Sequence, residues 1–295
     1  MTFTLEETLK YADLPADLKP WLVYQEVIEG LRPPLIFASC YTIDRSLIRQ
    51  IGTKIRVPVA SQLTASTISE STVTSTGFVK SDKTVTDVDI DVGNIVYSAV
   101  YLSYILSEDA PNINWVRLHV RNMAKAVLEK QDGDLRDVLI AGAGNVVGAA
   151  VAGTLDFDDV VDGVATMESA HCYPEPNAQF YLVVHPNNAK DIVKDTRFYD
   201  TKRYALGNIP FPAGEVGGLT AGCRVFKTSN MIEDLALIVA PPNHSQAPFA
   251  IKAIKRPLTL KTEAKEQYEK TMMVTTMRYG EAVIQSDGVY LISNC

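Results

Sequence analysis

The chain predicts an α+β fold, and three patterns in its 295 residues carry that prediction. The first is a pair of period-two segments inside Lys54–Val92, which read as one long β-hairpin. In the incoming strand Ile55, Val57 and Val59 alternate with Lys54 and Arg56, and in the returning strand Val88, Ile90 and Val92 alternate with Asp87, Asp89 and Asp91. The second is a long helical period from Asn114 to about Ile140. The third is a mixed tail in which short apolar strands first alternate with helices and then follow one another directly.

The hairpin is the most informative element. A basic strand facing an acidic one predicts cross-strand ion pairs, which help to fix the register. Between the strands, Ser61–Thr76 holds ten Ser or Thr in sixteen residues. That stretch is too β-branched and polar for a stable helix and too poor in large apolar groups for a core. Arms of about eighteen residues, at roughly 3.3 Å each, reach up to about 60 Å. A compact chain of this length has a radius of gyration of about 19 Å. An isolated two-stranded ribbon is marginal in water, so the hairpin needs either a neighbour to lie on or its own domain to fold back over.

The composition narrows the classes. Hydrophobic residues make up 46% and charged residues 21%, a globular balance that excludes wholesale disorder. A net charge of −7 and a pI near 5.2 argue against a dedicated nucleic-acid binder. Cys40, Cys172, Cys223 and Cys295 are far apart and form no C-x-x-C pair, so reduced thiols in a cytoplasmic setting are expected. The start, MTFTLEETLKYADL, has neither the basic nor the apolar segment of a secretory leader, and no apolar run is long enough to predict a membrane span.

Residues 1–50 read as an arm with little core of its own. Pro20 suits the first turn of a short helix carrying Trp21, Leu22 and Ile28 that stops at Gly30, and Pro33-Pro34 then forces an extended segment. A second short helix is expected with Ile43, Leu47, Ile48 and Ile51 on one face. In the long helix the expected apolar positions are Val116, Val120, Ala124, Val127, Leu128, Leu135, Val138 and Leu139, with a bend or weak point at Gly133. Arg117, Arg121 and Lys125 fall at i, i+4 and i+8 as a short basic stripe, read either as a solvated face or as a contact for an anionic partner.

The small-residue stretch 141–155 reads as a crossover. Beyond it, the pattern predicts a helix over Phe157–Ser169, a strand over Phe180–Val184, a helix around Ala189–Lys194 and a strand over Leu237–Ala240. Five alternating strands follow: Phe249–Ile254, Leu258–Lys261, Met272–Tyr279, Ala282–Ile284 and Tyr290–Ile292.

Signals for chemistry are few. Gly142-Ala-Gly144-Asn-Val-Val-Gly148 superficially matches a dinucleotide loop, but its spacing is one residue too long and it follows a helix where the motif requires a strand. Asp156, Asp158, Asp159 and Asp162 do not fit an EF-hand loop; acids in a first helical turn complement the helix dipole. His119, His171, His185 and His244 have no metal-ligand spacing, and no nucleophile elbow, zinc-protease or P-loop motif occurs. No catalytic residue, cofactor or metal is expected.

Taken in order, the elements are an arm, a long hairpin, a long helix, an α/β region and a return to antiparallel strands. This order resembles the major capsid protein of tailed viruses, with the Hong Kong 97 phage-type fold. Local segments agree. Phe180-Tyr-Leu-Val-Val-His185-Pro-Asn-Asn-Ala-Lys190 is similar to a strand and helix start of that family's axial (A) domain. Gly217-Gly-Leu-Thr-Ala-Gly222-Cys-Arg-Val225-Phe, followed by Thr228-Ser-Asn-Met231, is similar to its strand pair and polar turn. Arg256-Pro-Leu-Thr-Leu-Lys261 and Met277-Arg-Tyr-Gly280-Glu-Ala-Val283 are similar to its closing peripheral (P) domain strands.

The resemblance covers nearly the whole chain and rests on the joint order of elements. It implies an N-terminal arm over 1–53, an E-loop hairpin over 54–92 and a P domain over 93–145 with a spine helix. An A domain over 146–240 and P-domain return strands over 241–295 complete it. It also implies self-assembly into hexamers and pentamers of an icosahedral shell around double-stranded DNA, in a virion assembled in the host cytoplasm. Portal, scaffold and decoration proteins would be further partners, with no membrane. The hairpin, with Lys54, Arg56, Asp87, Asp89 and Asp91, would lie across a neighbouring subunit, and Arg117, Arg121 and Lys125 would face the lumen. An N-terminal scaffolding segment is not expected, because only residues 1–53 precede the hairpin. The family's Lys–Asn cross-link is not carried over, because Lys80 and Lys83 lie on the hairpin's return and not at its tip. Two alternatives stay open at this point: an encapsulin-like nanocompartment shell, which shares the fold, and an α/β nucleotide-binding enzyme using the Gly-rich crossover.

Overall fold

Two sheets share one long helix. The computed structural model describes residues 8–9, 32–46, 52–60, 85–104, 115–150, 153–172, 179–194, 215–220, 223–242, 248–293 and 295. The expected helix at Pro20–Gly30, the Ser/Thr-rich tip and the lysines at 80 and 83 lie outside these residues.

The first sheet has the order β1-β5-β12-β11-β2, built from β1 (Thr8–Leu9), β2 (Thr42–Asp44), β5 (Val96–Ser103), β11 (Ala250–Lys265) and β12 (Lys270–Val283). Its centre is the long antiparallel pair β11–β12, to which β5 adds antiparallel and β1 and β2 add parallel. The sequence suggested breaks at Pro257 and Gly280, yet each strand is continuous. β11 absorbs its proline with register shifts between Ile254 and Arg256 and between Arg256 and Thr259, on a stretch that no outer strand pairs among the described residues. The strand β2 also corrects the expected short helix, since Ile43 pairs with Lys252 in a parallel ladder; residues 47–51 lie outside the description.

Helix α1 (Trp115–Ala141) covers one face of this sheet. It runs unbroken through Gly133, where the neighbouring turns complete their hydrogen bonds whatever the side chain. At about 1.5 Å per residue it is roughly 40 Å long. Its buried row is Trp115, Met123, Val127, Gln131, Leu135 and Leu139, with Asp132 beside it. This differs from the expected face: Val116 is half exposed. The polar Gln131 and His119 on the inward row hide the true period from a hydrophobicity count.

The second sheet has the order β6-β13-β10-β7-β9-β8, from β6 (Asn145–Gly148), β7 (Phe180–Val184), β8 (Glu215–Thr220), β9 (Cys223–Lys227), β10 (Leu235–Val239) and β13 (Val289–Ser293). The stretch 241–295 divides between the two sheets. β11 and β12 belong to the first, while β13 crosses back to pair with β6 and β10. Both faces of the second sheet's strands β7, β10 and β13 are covered, whereas Val146 and Val147 of β6 are exposed. Leu182, Val184, Ala236, Ile238, Tyr290 and Ile292 pack with Val160, Val164 and Met167 of α2 (Phe157–Ser169) and Ile192 of α3 (Pro186–Lys194). The alternate residues Val183, Leu237, Val239, Val289 and Leu291 pack with Leu135 and Leu139 of α1 and with Phe37. Burial on both faces is why FYLVV, LALIV and VYLIS read as continuous apolar runs. α2 carries Asp158 and Asp159 in its first turn, as expected for acids that complement the helix dipole, and Asp156 and Asp159 also form a capping box. It ends in a left-handed His171, with amides 171 and 172 bonded back to Glu168 and Met167 carbonyls.

The last part of the arm is fastened to α1. Tyr41 Oη donates to the Leu135 carbonyl at 2.7 Å, and Asn230 Nδ2 and the Ala38 amide both donate to the buried Asp132 carboxylate. Burial raises the Asp132 carboxyl pKa against those bonds.

Candidate assembly surfaces

Strands β3 (Lys54–Ala60) and β4 (Val85–Asp91) form the expected antiparallel ribbon, in the register Lys54↔Asp91, Arg56↔Asp89, Val57↔Val88. Arg56 takes Asp89 bidentately, with Nε to Oδ1 at 2.8 Å and Nη2 to Oδ2 at 3.3 Å, and lies 3.8 Å from the diagonal carboxylate of Asp87. Its hydrogen bond holds the Asp89 carboxyl below the usual range, and Asp89 in return raises the guanidinium. Lys54 stands opposite Asp91, which accepts the Gly93 amide at 2.7 Å. The predicted charge pairing thus forms on the ribbon's open face.

The other face is apolar and explains how the ribbon is rooted. Ile55, Val57, Ile90 and Val92 pack on Ile251, Ala253 and Ala282 of the first sheet and on Ile284 just past its end. Gly280 and Ala282 are even positions of β12, opposite in side to Met273, Met277 and Tyr279, which meet α1. The hairpin therefore seats on the sheet face that α1 leaves open. Gly280 makes the seat: a Cβ there would stand 2.2 Å from the Asp91 carbonyl oxygen, and next to it Arg278 Nε donates to the Val92 carbonyl at 2.6 Å. Away from the root the cover ends, and Val85 is 54% exposed.

The rest of that open sheet face carries Tyr97 (58% exposed), Ala99 and Tyr101 of β5 beside Val274 and Met272 of β12. Lys270 lies over the rings of Tyr101 and Tyr268, 4.5 and 5.2 Å from their centroids. The outer half of β11 exposes Leu258 and Leu260 on an unpaired edge that Pro257 and the register shifts protect. The tyrosines were missed at the sequence level because β5 was not read as a strand, although VYSAVYLS alternates.

Arg117 and Arg121 are exposed and Lys125 is half-buried; all three are engaged within the chain. Two residues from the buried row is about 200° around a helix, which puts the stripe on the side of α1 away from the sheet.

The Gly-rich crossover is a packing device. Gly142 and Gly144 donate their amides to the carbonyls of Val138 and of Ser286 and Val289, and a Cβ at Gly144 would meet the Ser286 backbone at 2.7 Å. Those amides are spoken for and cannot cradle a phosphate. Among the described residues no group of three or more His, Cys, Asp or Glu could hold a metal ion, and no helix is long and apolar enough to cross a membrane. Burial pushes the thiols of Cys40 and Cys223 up to about 12, so neither is poised as a nucleophile.

The architecture is the α+β fold of the Hong Kong 97 phage type. Among solved structures, the chain is similar to that of Mycobacterium phage Che8, with TM-score 0.71 and 17% identity over 92% of this chain and 96% of that one. It is also similar to the capsid of cyanophage P-SCSP1u, with TM-score 0.72 and 16% identity over 98% of both chains. The SrpI encapsulin of Synechococcus elongatus fits less well, with TM-score 0.57 and 14% identity over 86% of this chain and 84% of that one. No protein-family model matches the chain, and no curated protein matches it.

Proposed function

We propose that this chain is the major capsid protein of a tailed virus. It builds hexamers and pentamers that close into an icosahedral shell around double-stranded DNA. The observation that carries the reading is the hairpin, seated among the described residues on its own sheet only at its root and with Val85 exposed beyond it, in a fold that matches phage capsids over nearly the whole chain. An unsupported ribbon needs a partner, and identical subunits supply one with rotational symmetry. The role is structural rather than catalytic. The better fit to phage capsids than to an encapsulin favours the viral shell over a cargo compartment.

In this reading the ribbon with Lys54, Arg56, Asp87, Asp89 and Asp91 crosses a neighbouring subunit, and Arg117, Arg121 and Lys125 soften the repulsion between an acidic shell and packed DNA. Portal, scaffold and decoration proteins join the assembly, which takes place in the host cytoplasm. Electron microscopy of the expressed chain tests the proposal: closed shells of one size class with interfaces above roughly 2,000 Å² are expected. A monomer at high concentration, with the hairpin folded wholly onto its own sheet, overturns it. Changing Arg117, Arg121 and Lys125 together to Gln separates the roles of the stripe. Normal empty shells with impaired DNA retention support the lumenal role, and failure to form shells makes the stripe an interface.

A further inference from the structure

Among the described residues, the buried side-chain nitrogens and oxygens that lack a hydrogen-bond partner all lie in one seam. They are Trp115 Nε1, His119 Nε2 and Gln131 Nε2 on α1, and Thr275 Oγ1 and Glu281 Oε2 on β12. Trp115, His119 and Gln131 stand on the same i+4 row as Met123 and Val127, which pack on the first sheet, with Gln131 next in the row before Leu135 and Leu139 turn to the second. Thr275 and Glu281 are odd positions of β12, on the side of Met273, Met277 and Tyr279, which pack with Trp115, Met123 and Val127. The row from Trp115 to Gln131 runs about 24 Å along the helix.

Other buried polar groups behave differently. Thr228 donates to the Pro34 carbonyl, Asn188 donates to the Leu235 carbonyl and Cys295 Sγ, and Asp132 accepts from Asn230 and Ala38. One interface therefore collects the unpaired groups while its surroundings are paired. Each such group left dry costs about 1–3 kcal/mol, so the set favours a hydrated seam over a dry one.

We propose that the α1–β12 seam is a water-binding layer, in which ordered water bridges helix and sheet. The site suits that ligand. It offers donors from the indole and the amide, a hydroxyl that both donates and accepts, and a carboxylate facing Lys252 across the strand pair. Around Glu281 stand Lys130 and Asp134 of α1, bonded to each other at 2.5 Å, and Tyr279 Oη, which donates to Asp134 at 2.7 Å. A seam bridged by water has a mechanical consequence. An interlocked apolar contact must break as a unit, whereas bridging waters exchange partners one at a time, so α1 can be reset against the sheet without losing its cover. Resting on the shell reading, this is the layer at which one chain fits its shape to ring positions that are not identical.

Hydroxyl-radical footprinting of the full chain by synchrotron radiolysis tests the water directly, because radicals form from bound water at the site. Met123 and Met273, though buried at 2% and 1% exposure, are expected to oxidise measurably, while Met167, fully buried in the other sheet's core, stays protected. Protection of all three alike overturns the proposal. Thr275→Val and Gln131→Met form the second arm. Removing a group that holds a bridging water leaves that water short of a partner, so a lowered denaturation midpoint and faster amide exchange in α1 are expected, whereas a raised midpoint in both variants, the result a dry unpaired seam would give, overturns the inference. Both arms use the subunit in solution. Failure of the chain to form shells would therefore sink the capsid reading while leaving the hydrated seam standing, and the reverse holds as well.

Discussion

The two sheets of this molecule are opposite solutions to the same problem. In the six-stranded sheet, β7, β10 and β13 are buried on both faces, between α2 and α3 on one side and α1 with the Phe37 turn on the other. In the five-stranded sheet α1 covers one face, and on the other a hairpin root covers one end only, leaving Tyr97, Val274 and the outer half of β11 uncovered. The first is complete as a single chain. The second leaves one face largely open among the described residues, and in the proposed shell that face would meet a neighbouring subunit.

The largest expected effect tests that asymmetry at its core. Phe180→Ala removes a fully buried ring between α2 and the sheet and is expected to cost about 3–5 kcal/mol in urea denaturation of the subunit. Leu260→Ala, at a position 43% exposed on the open edge, should stay within about 0.5 kcal/mol. Equal costs would mean that the two sheets are equally self-sufficient, and the contrast would fail.

Next comes the hairpin seat. Gly280→Ala places a methyl group against the Asp91 backbone, which must move, at an expected cost of roughly 1–3 kcal/mol. Hydrogen exchange is the sharper readout. The amide of Val92, bonded to the Thr53 carbonyl at 2.7 Å, should lose protection while β7 and β10 keep theirs. Loss of protection in both sheets would show one cooperative unit instead of two.

The third effect is proton-linked. Burial, with Asp134 nearby, raises the Glu281 carboxyl from 4.5 to about 7. The folded state then holds a proton between about pH 4.5 and 7 that the unfolded state has released. The associated stability is complete below pH 4.5 and is lost as pH rises through 7. The loss is on the order of 1–3 kcal/mol, which corresponds to several degrees in melting temperature at about 2–4 °C per kcal/mol. Melting curves from pH 5 to 7.5 should fall for the native chain and flatten for Glu281→Gln. Equal slopes would remove Glu281 from the account.

Much of this was legible in the sequence, and for physical reasons. Segments whose pattern is carried by their own residues were read correctly. The β3–β4 pairing followed from alternating charge, α2 from the acids of its first turn, and β7 from five apolar residues before His185-Pro186. Positions set by two neighbours at once were not. Pro257 and Gly280 look like strand breaks, yet the first sits on an unpaired edge and the second is where another strand crosses. α3 begins at Pro186, three residues before its apolar period, because proline suits a first turn. The seat under the hairpin and the polar row under α1 have no sequence signal, since each exists only when distant elements meet.

The smallest expected effect on the subunit is also the most discriminating. Arg56 and Asp89 pair in good geometry, but both side chains are largely in water, where the gain of a pair is offset by solvation and by the loss of side-chain freedom. Arg56→Ala should therefore leave the subunit's denaturation midpoint unchanged, and so should Asp89→Asn. In an assembled shell, a ribbon laid across a neighbour would remove part of that water, and an unpaired charge left there is far more costly than in the free chain. The expected result is normal folding with reduced shell yield for either single change, measured by sedimentation. The reciprocal swap, Arg56→Asp with Asp89→Arg, restores the pair within the ribbon but inverts its outward charge pattern. Recovery of shells by the swap would make the pair a register device inside the hairpin. Continued failure would make its outward charge part of the contact with the neighbouring subunit.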